Sequence, residues 1–491
     1  MDRRLQRSAE AVRFRVNAMR CDGQGVCALI APEIFQLDRY GDAYVSPGAE
    51  ALVAEDDELR QRALEADAMC PRNAIYELPA APERPPRLVE SPSSATTPAR
   101  LVLEGKETVA EWRARGGWRQ SLGHEVLDTV AAAGLVGHGG AGFPTATKLR
   151  GLVGVKEAVV VLNGAEREPG TLKDRYLLAH RPGLLLDGLQ HILNVTSASE
   201  AVITVDEESV VEYDTMATAL DEAREAGFFQ NVTVRMQRVP TRYVAGEETA
   251  LISVLAGGPP LPRMRPPLPS ESGLNGRPTL VQNAETVAQV ALALQLGADE
   301  FRSVGTPDTP GTGIFSVGPF GGPYEVVERP YGYPLQALLS DLGLLDDARA
   351  VLVGGYAGGL LSTDAGLDVA LAPNALAERG ASLGTKAVHV IGRQQCPVGV
   401  VAGIVGFFGD ESAQQCPPCA RGLPDSARML RALEDGTADQ AMLDELGHFM
   451  ATLHDRGICR LPDGAARMTQ SLLSAFSDDV AAHLENGCPH R

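Results

Sequence analysis

Residues 158–171 read Ala-Val-Val-Val-Leu-Asn-Gly-Ala-Glu-Arg-Glu-Pro-Gly-Thr, an apolar run suited to a strand that passes at once into a polar, glycine-containing turn. Similar β-rich runs stand at 201–205 and 232–236, with helical stretches between them. Alternation of this kind predicts an α/β domain over 100–310: a parallel sheet with helices on its faces, whose ligands sit beyond the carboxyl ends of the strands. Downstream, 311–392 is shorter and more strand-like, with turns at Gly321–Gly322 and Gly354–Gly355, which suits a small β-grasp-like domain. Residues 393–491 turn helical, with Ala, Leu and Met on periodic faces, and predict a helical bundle. Upstream, 79–99 (PAAPERPPRLVESPSSATTPA) reads as a linker able to span about 60 Å when fully extended. Residues 10–78 form a small cysteine-bearing unit. The expected fold is therefore multidomain, part α+β and part α/β.

The length of 491 residues also demands several domains, about three or four. A formal charge of −19 argues against nucleic acid as a partner, because phosphate binding needs clustered Lys and Arg. Such acidity favours a protein partner with a basic docking face. The charged N-terminus, MDRRLQRSAEAVRFRV, is not a secretory signal, and the apolar stretch 397–409 is too short to cross a bilayer. A cytoplasmic protein without membrane insertion is expected. In that reducing compartment eight cysteines read as metal ligands or buried thiols rather than disulfides.

The first metal site lies in the N-terminal unit. Cys21 and Cys27 flank Asp-Gly-Gln-Gly-Val, and Cys70 precedes Pro71 far downstream. Bacterial ferredoxins place cysteines at two-residue intervals and add a remote Cys-Pro. Gln24 occupies the middle of the triplet, so three thiolates remain, enough for three irons. Zinc would want four N or S ligands, and no suitably spaced histidine stands here. The surrounding text, CALIAPEIFQLD, GDAYV and AMCPRNAIYEL, resembles the single-cluster 3Fe–4S ferredoxins over nearly all of 14–78.

A second constellation begins at 137–148, Gly-His-Gly-Gly-Ala-Gly-Phe-Pro-Thr-Ala-Thr-Lys, a glycine-rich loop ahead of a lysine that can close on phosphate. By itself the loop is a weak signal. Three further segments accompany it: 162–171, 242–251 (Arg-Tyr-Val-Ala-Gly-Glu-Glu-Thr-Ala-Leu) and 272–286. Together, from about 125 to 485, they resemble the NADH-binding flavoprotein subunit of respiratory complex I and its relatives in hydrogenases and formate dehydrogenases. The resemblance implies FMN on Gly137, Gly139, Gly140 and Lys148, with Asn163, Glu166, Tyr243, Gly246, Glu247 and Glu248 lining the pocket and Asn283 and Thr286 near the phosphate or ribityl chain. It further implies that Phe143, Glu168 and Glu247 lie toward the nicotinamide nucleotide, the two glutamates being the catalytic candidates. His138 and Ala165 stand where the family usually has Arg and Asp, and Leu149 and Leu268 where it has aromatics, which leaves NADH against NADPH open.

In the same family the bundle carries a 4Fe–4S cluster on a Ser-Cys-x-x-Cys-x-x-Cys run and a distant cysteine. Here Ala413 takes the first ligand position, leaving Cys416, Cys419 and Cys459. A 4Fe cluster with a non-cysteine ligand, a 3Fe cluster and an empty site all remain open, with a bound cluster favoured. Cys396 reads as a buried thiol that could substitute, and Cys488, in the tail, as idle. The implied activity is an NAD(P)H:acceptor oxidoreductase that passes hydride to FMN and then single electrons, through iron–sulfur clusters, to an external protein. By resemblance that acceptor is a heme-thiolate monooxygenase; self-association is left open. The competing reading is a non-catalytic conducting or scaffolding subunit of a larger complex.

Overall fold

The computed structural model describes residues 13–16, 24–37, 43–46, 49, 53, 56–71, 74–78, 87–88, 100–453 and 456–488. The chain divides into two compact units, one within the first 85 residues and one from residue 86 onward.

The first unit has strands β1 (Arg13–Val16), β2 (Phe35–Leu37), β3 (Ala43–Val45) and β4 (Ile75–Leu78), with β1 antiparallel to β4 and β2 to β3. Helices Val26–Ile30 and Asp57–Ala68 pack on each other. The longer helix starts at Asp56, whose carboxylate accepts the N–H groups of Glu58 and Leu59. Its apolar face joins Phe14, Ile34, Phe35 and Ile75 in a core that also takes in Cys27 and Cys70.

The second unit opens with β5 (Arg87–Leu88), inside the stretch whose composition reads as linker. Proline-rich text hides such a strand because two residues carry no period. The parallel sheet follows: β6 (Val159–Gly164), β7 (Glu200–Asp206), β8 (Thr233–Val239) and β9 (Thr279–Asn283), in spatial order β8-β7-β6-β9. The chain steps outward from β6 to β8 and then returns to the other side of β6. The order thus reverses between β6 and β9, where open α/β sheets bind ligands. Asn163 and Asn283, paired in register, mark that crevice. Helices Pro182–Thr196 and Ala284–Leu296 pack together and contribute Leu185, Leu189, Val287 and Ala291 to the main core.

A second sheet comprises β10 (Thr312–Pro319), β11 (Glu325–Pro330), β12 (Ala348–Val353), β13 (Gly359–Ser362) and β14 (Ala387–Gly392), in order β13-β12-β14-β10-β11-β5. The first and last of these five run parallel at the centre, each continued outward by an antiparallel partner, with helix Leu335–Asp341 between the two hairpins. This is the β-grasp arrangement, and β5 extends its outer edge in parallel with β11. Helices Pro397–Glu411, Leu423–Glu434, Gln440–Ala451, Leu461–Ala475 and Ser477–Asn486 complete the unit as a bundle. Prolines in the first turns of three of them cost no hydrogen bond there. No helix among the described residues is long and apolar enough to cross a membrane.

Candidate functional site

The glycine-rich loop folds as a short hairpin whose Gly137 N–H donates to the Phe143 carbonyl at 2.8 Å. Gly140 and Gly142 hold φ of 102° and 63°, values that side chains resist. A Cβ at Gly139 would sit 3.5 Å from that of Asn283, so the loop rests close to the end of β9. Asn283 caps helix Ala284–Leu296, accepting the Glu285 N–H at 3.1 Å, and Thr286 Oγ1 accepts the His138 N–H at 2.8 Å. A long helix thus starts directly beneath exposed glycines, which suits a phosphate. This cradle fits a phosphorylated flavin.

Under the cradle lies a buried charge network. Lys173 Nζ is 2.5 Å from Asp174, 3.7 Å from Glu285 and 3.8 Å from Glu166. Lys386, from the loop before β14, pairs with Glu285 at 2.9 Å. Burial alone would lower both lysines. Asp174, Glu166 and Glu285 nevertheless hold Lys173 above its ordinary value, whereas burial prevails at Lys386. His138 is pushed well down, first by burial and then by Lys386 and Lys173, so it stays neutral and bonds Tyr331 at 2.9 Å. Glu166 accepts the N–H groups of Asp174 and Arg175 at 2.9 and 3.1 Å, capping the helix Lys173–His180. Burial, reinforced by Asp174, lifts its carboxyl to about 8.

The remaining pocket residues converge from separate elements. Asn163 Nδ2 donates to the Gly246 carbonyl at 3.0 Å, and Lys148 binds the Val281 carbonyl at 2.6 Å and Glu248 at 2.7 Å. Glu168 is buried, bonded to Thr385 at 2.6 Å and to Tyr243 and Thr171 at 3.3 Å, and burial raises its pKa. Its niche exists because residue 355 is glycine: a Cβ there would overlap the Glu168 carboxylate. The Tyr243 ring packs 5.5 and 5.7 Å from Phe407 and Phe408. Glu247 spends one oxygen capping helix Glu248–Leu255, through Thr249 and Ala250, and the other on Arg265 at 2.6 Å. Phe143, in the glycine-rich loop, and Leu268 are 53% and 47% exposed. Arg167 pairs with Glu208 at 3.0 Å.

The cysteines of the bundle lie on the far side of residues 242–255. Tyr243 N–H donates to Glu411 at 3.0 Å, and Ala413 is buried against Val244 and Ala250. The Cys416 carbonyl accepts the N–H groups of Cys419 and Ala420, turning both thiols the same way. Burial, then the proximity of Cys416 and Cys459, pushes Cys419 up, and burial with Glu247 and Cys416 nearby does the same to Cys459. Three thiols gathered in one spot supply the soft donors that iron–sulfur clusters take. In the first unit Cys27 is buried and Cys70 accepts the Ala74 N–H at 3.3 Å, both on one core, while Cys21 lies outside the described residues.

Of the flavin-side residues expected from the sequence, direct contacts join Asn163 to Gly246, Lys148 to Glu248 and Tyr243 to Glu168, and set Gly139 close to Asn283. Lys173, Asp174, Glu285, Thr385 and Lys386 escaped that reading. The Lys-Asp pair opening a helix was a usable signal, but Thr385 and Lys386 arrive from the β-grasp domain, more than 200 residues from Glu168.

Residues 130–292 match the Nuo51 FMN-binding domain, 399–483 the NADH-ubiquinone oxidoreductase-F iron-sulfur binding region, and 14–76 a 4Fe-4S single cluster domain. The chain is 34% identical over 379 residues to the F subunit of the NADH-quinone oxidoreductase of Streptomyces coelicolor, covering 74% of this chain and 84% of the relative. It is 31% identical to the F 2 subunit of the Rhizobium meliloti enzyme, covering 78% and 96%. Among solved structures it resembles a chain of an NAD+-reducing [NiFe]-hydrogenase in the air-oxidized state, with TM-score 0.72, 26% identity, and 98% and 86% of the two chains covered.

Proposed function

Because this chain belongs to the family of NADH-quinone oxidoreductase F subunits, we propose that it is a reductase carrying its own ferredoxin, which takes hydride from a reduced nicotinamide nucleotide and delivers single electrons to an external protein. It is an FMN and iron–sulfur oxidoreductase subunit that oxidises NADH. Passage from flavin to the bundle is supported by one observation: residues 242–255 meet the flavin crevice through Gly246 and Glu248 and pack on Ala413, beside the bundle cysteines, through Val244 and Ala250. The outlet through the N-terminal unit rests on its match to a single-cluster domain.

FMN, when bound, supplies the exchange of an electron pair for single electrons. Gly137, Gly139 and Gly140 would hold it together with the helix start at Asn283 and Thr286, while Lys148, Asn163, Glu166, Tyr243, Gly246 and Glu248 would line the pocket. Phe143 offers an apolar face to the nucleotide. Glu168, whose carboxyl burial holds above its ordinary value, is fixed at the pocket by Thr385 and Tyr243. Glu247 positions the helix start and Arg265. Cys416, Cys419 and Cys459 hold one cluster. Cys21, Cys27 and Cys70 hold a 3Fe–4S cluster, since Gln24 gives no thiolate.

Low-temperature EPR on the anaerobic full chain tests this. A 3Fe signal in the oxidised protein that disappears on adding NADH or NADPH is the expected result, and the nucleotide that quenches it is the donor. A signal indifferent to both would overturn the reductase and favour a conducting subunit, which the relatives' naming as subunits and Leu268 in place of an aromatic already support in part. A heme-thiolate monooxygenase is the acceptor we propose, met through the acidic surface.

A further inference from the structure

At the opposite end of helix Pro397–Glu411 from the cluster cysteines stand Cys396, His483 and Cys488. Cys396 Sγ lies 3.1 Å from His483 Nε2, although 87 residues separate them, and the three donor atoms all lie within 4.8 Å of one another. His483 is fully buried, and its Nδ1 is 2.6 Å from the Asp479 carbonyl. A carbonyl only accepts, so Nδ1 carries the proton and Nε2 turns a lone pair toward the sulfurs. Cys396 caps the helix, its sulfur accepting the Gly399 N–H at 3.4 Å, where the helix dipole favours negative charge.

We propose that Cys396, His483 and Cys488 bind a zinc ion, a site distinct from either cluster. Two thiolates and an imidazole are the donors zinc takes, and bonds of about 2.3 Å to sulfur and 2.0 Å to nitrogen in a tetrahedron put sulfurs about 3.8 Å apart and sulfur about 3.5 Å from nitrogen. The observed spacing needs only side-chain adjustment to reach that. The fourth position is open to water. Each thiol loses its proton to solvent as its bond to zinc forms. Fifteen helical residues, about 22 Å of rise, separate this group from Ala413, so Cys396 does not replace the missing cluster ligand. The expectation of an idle Cys488 is corrected by the same geometry: tail and bundle entrance meet. Zinc here clamps the end of helix Ser477–Asn486 to the start of helix Pro397–Glu411.

Metal analysis of the full chain, purified with its clusters and incubated with zinc under reductant, tests the site. A full equivalent of zinc is expected in the wild type and lost from Cys488→Ser and Cys396→Ser, with iron and FMN content unchanged. Because Cys488 lies in the tail, that variant is expected to fold. Cobalt in place of zinc should give a thiolate-to-metal absorption band that Cys488→Ser abolishes. Absence of zinc from the wild type, zinc retained by Cys488→Ser, or a Cys396–Cys488 disulfide persisting under reductant would each overturn the proposal.

Discussion

Burial and the neighbouring Asp174 move the protonation of Glu166 far from that of a free carboxyl. Its folded pKa of about 8 stands above the ordinary 4.5, so between those values the folded chain keeps a proton that the unfolded chain gives up. Stability therefore falls as pH rises through that window and levels off above it. Glu166→Gln keeps the acceptor that caps Asp174 and Arg175 but has no proton to lose. The drop in the FMN-release midpoint between pH 6 and pH 9, followed by flavin fluorescence, should shrink by about 2 °C or more. Leu268 offers a second test. An aromatic ring stacking on a base contributes about 0.5–1.5 kcal/mol, so Leu268→Tyr should lower the KM for NADH by about 2- to 10-fold with kcat little changed. Asn163 and Glu166 stand where an apolar run passes into a polar turn, which the sequence shows, whereas Gly246 is placed in the pocket only by the family resemblance. The role of Glu247 as a cap, and the burial of His138 between two lysines, were not legible, since both depend on partners far along the chain.

Among the elements, β6 and β7 could be read as near-continuous apolar runs and β8, at the sheet edge, by its Val and Met, whereas β9, split between a motif and a helix start, hid behind its polar ends Thr279 and Asn283. The segment 412–419 illustrates how an element defines a site by what it lacks. Ala413 is packed against Val244 and Ala250 where the family has a ligand, and the Ser412 hydroxyl approaches Cys419 instead. Ala413→Cys should raise bound iron and convert the bundle's EPR signature to that of a 4Fe–4S cluster. Unchanged iron and signature would mean that the cluster already has four irons or that position 413 faces away from it.

For the molecule as a whole, the proposed function assigns the two units separable tasks. Cys70→Ser should abolish electron delivery to a protein acceptor while leaving NADH-driven dye reduction within about twofold of wild type; equal loss of both would count against the modular arrangement. The division near residue 86 falls within the 79–99 stretch read as a linker, but part of that stretch contributes β5 to the β-grasp sheet, which its composition does not reveal. That small strand bears on self-association. An unpaired strand edge is a template for another chain, and β5 covers part of the outer edge of β11. A truncation beginning at residue 100, the obvious way to isolate the flavoprotein, uncovers that edge. Such a fragment should dimerise or aggregate on a sizing column where one beginning at residue 86 stays in the wild-type state; that outcome would make β5 a guard of the reductase against its own copies.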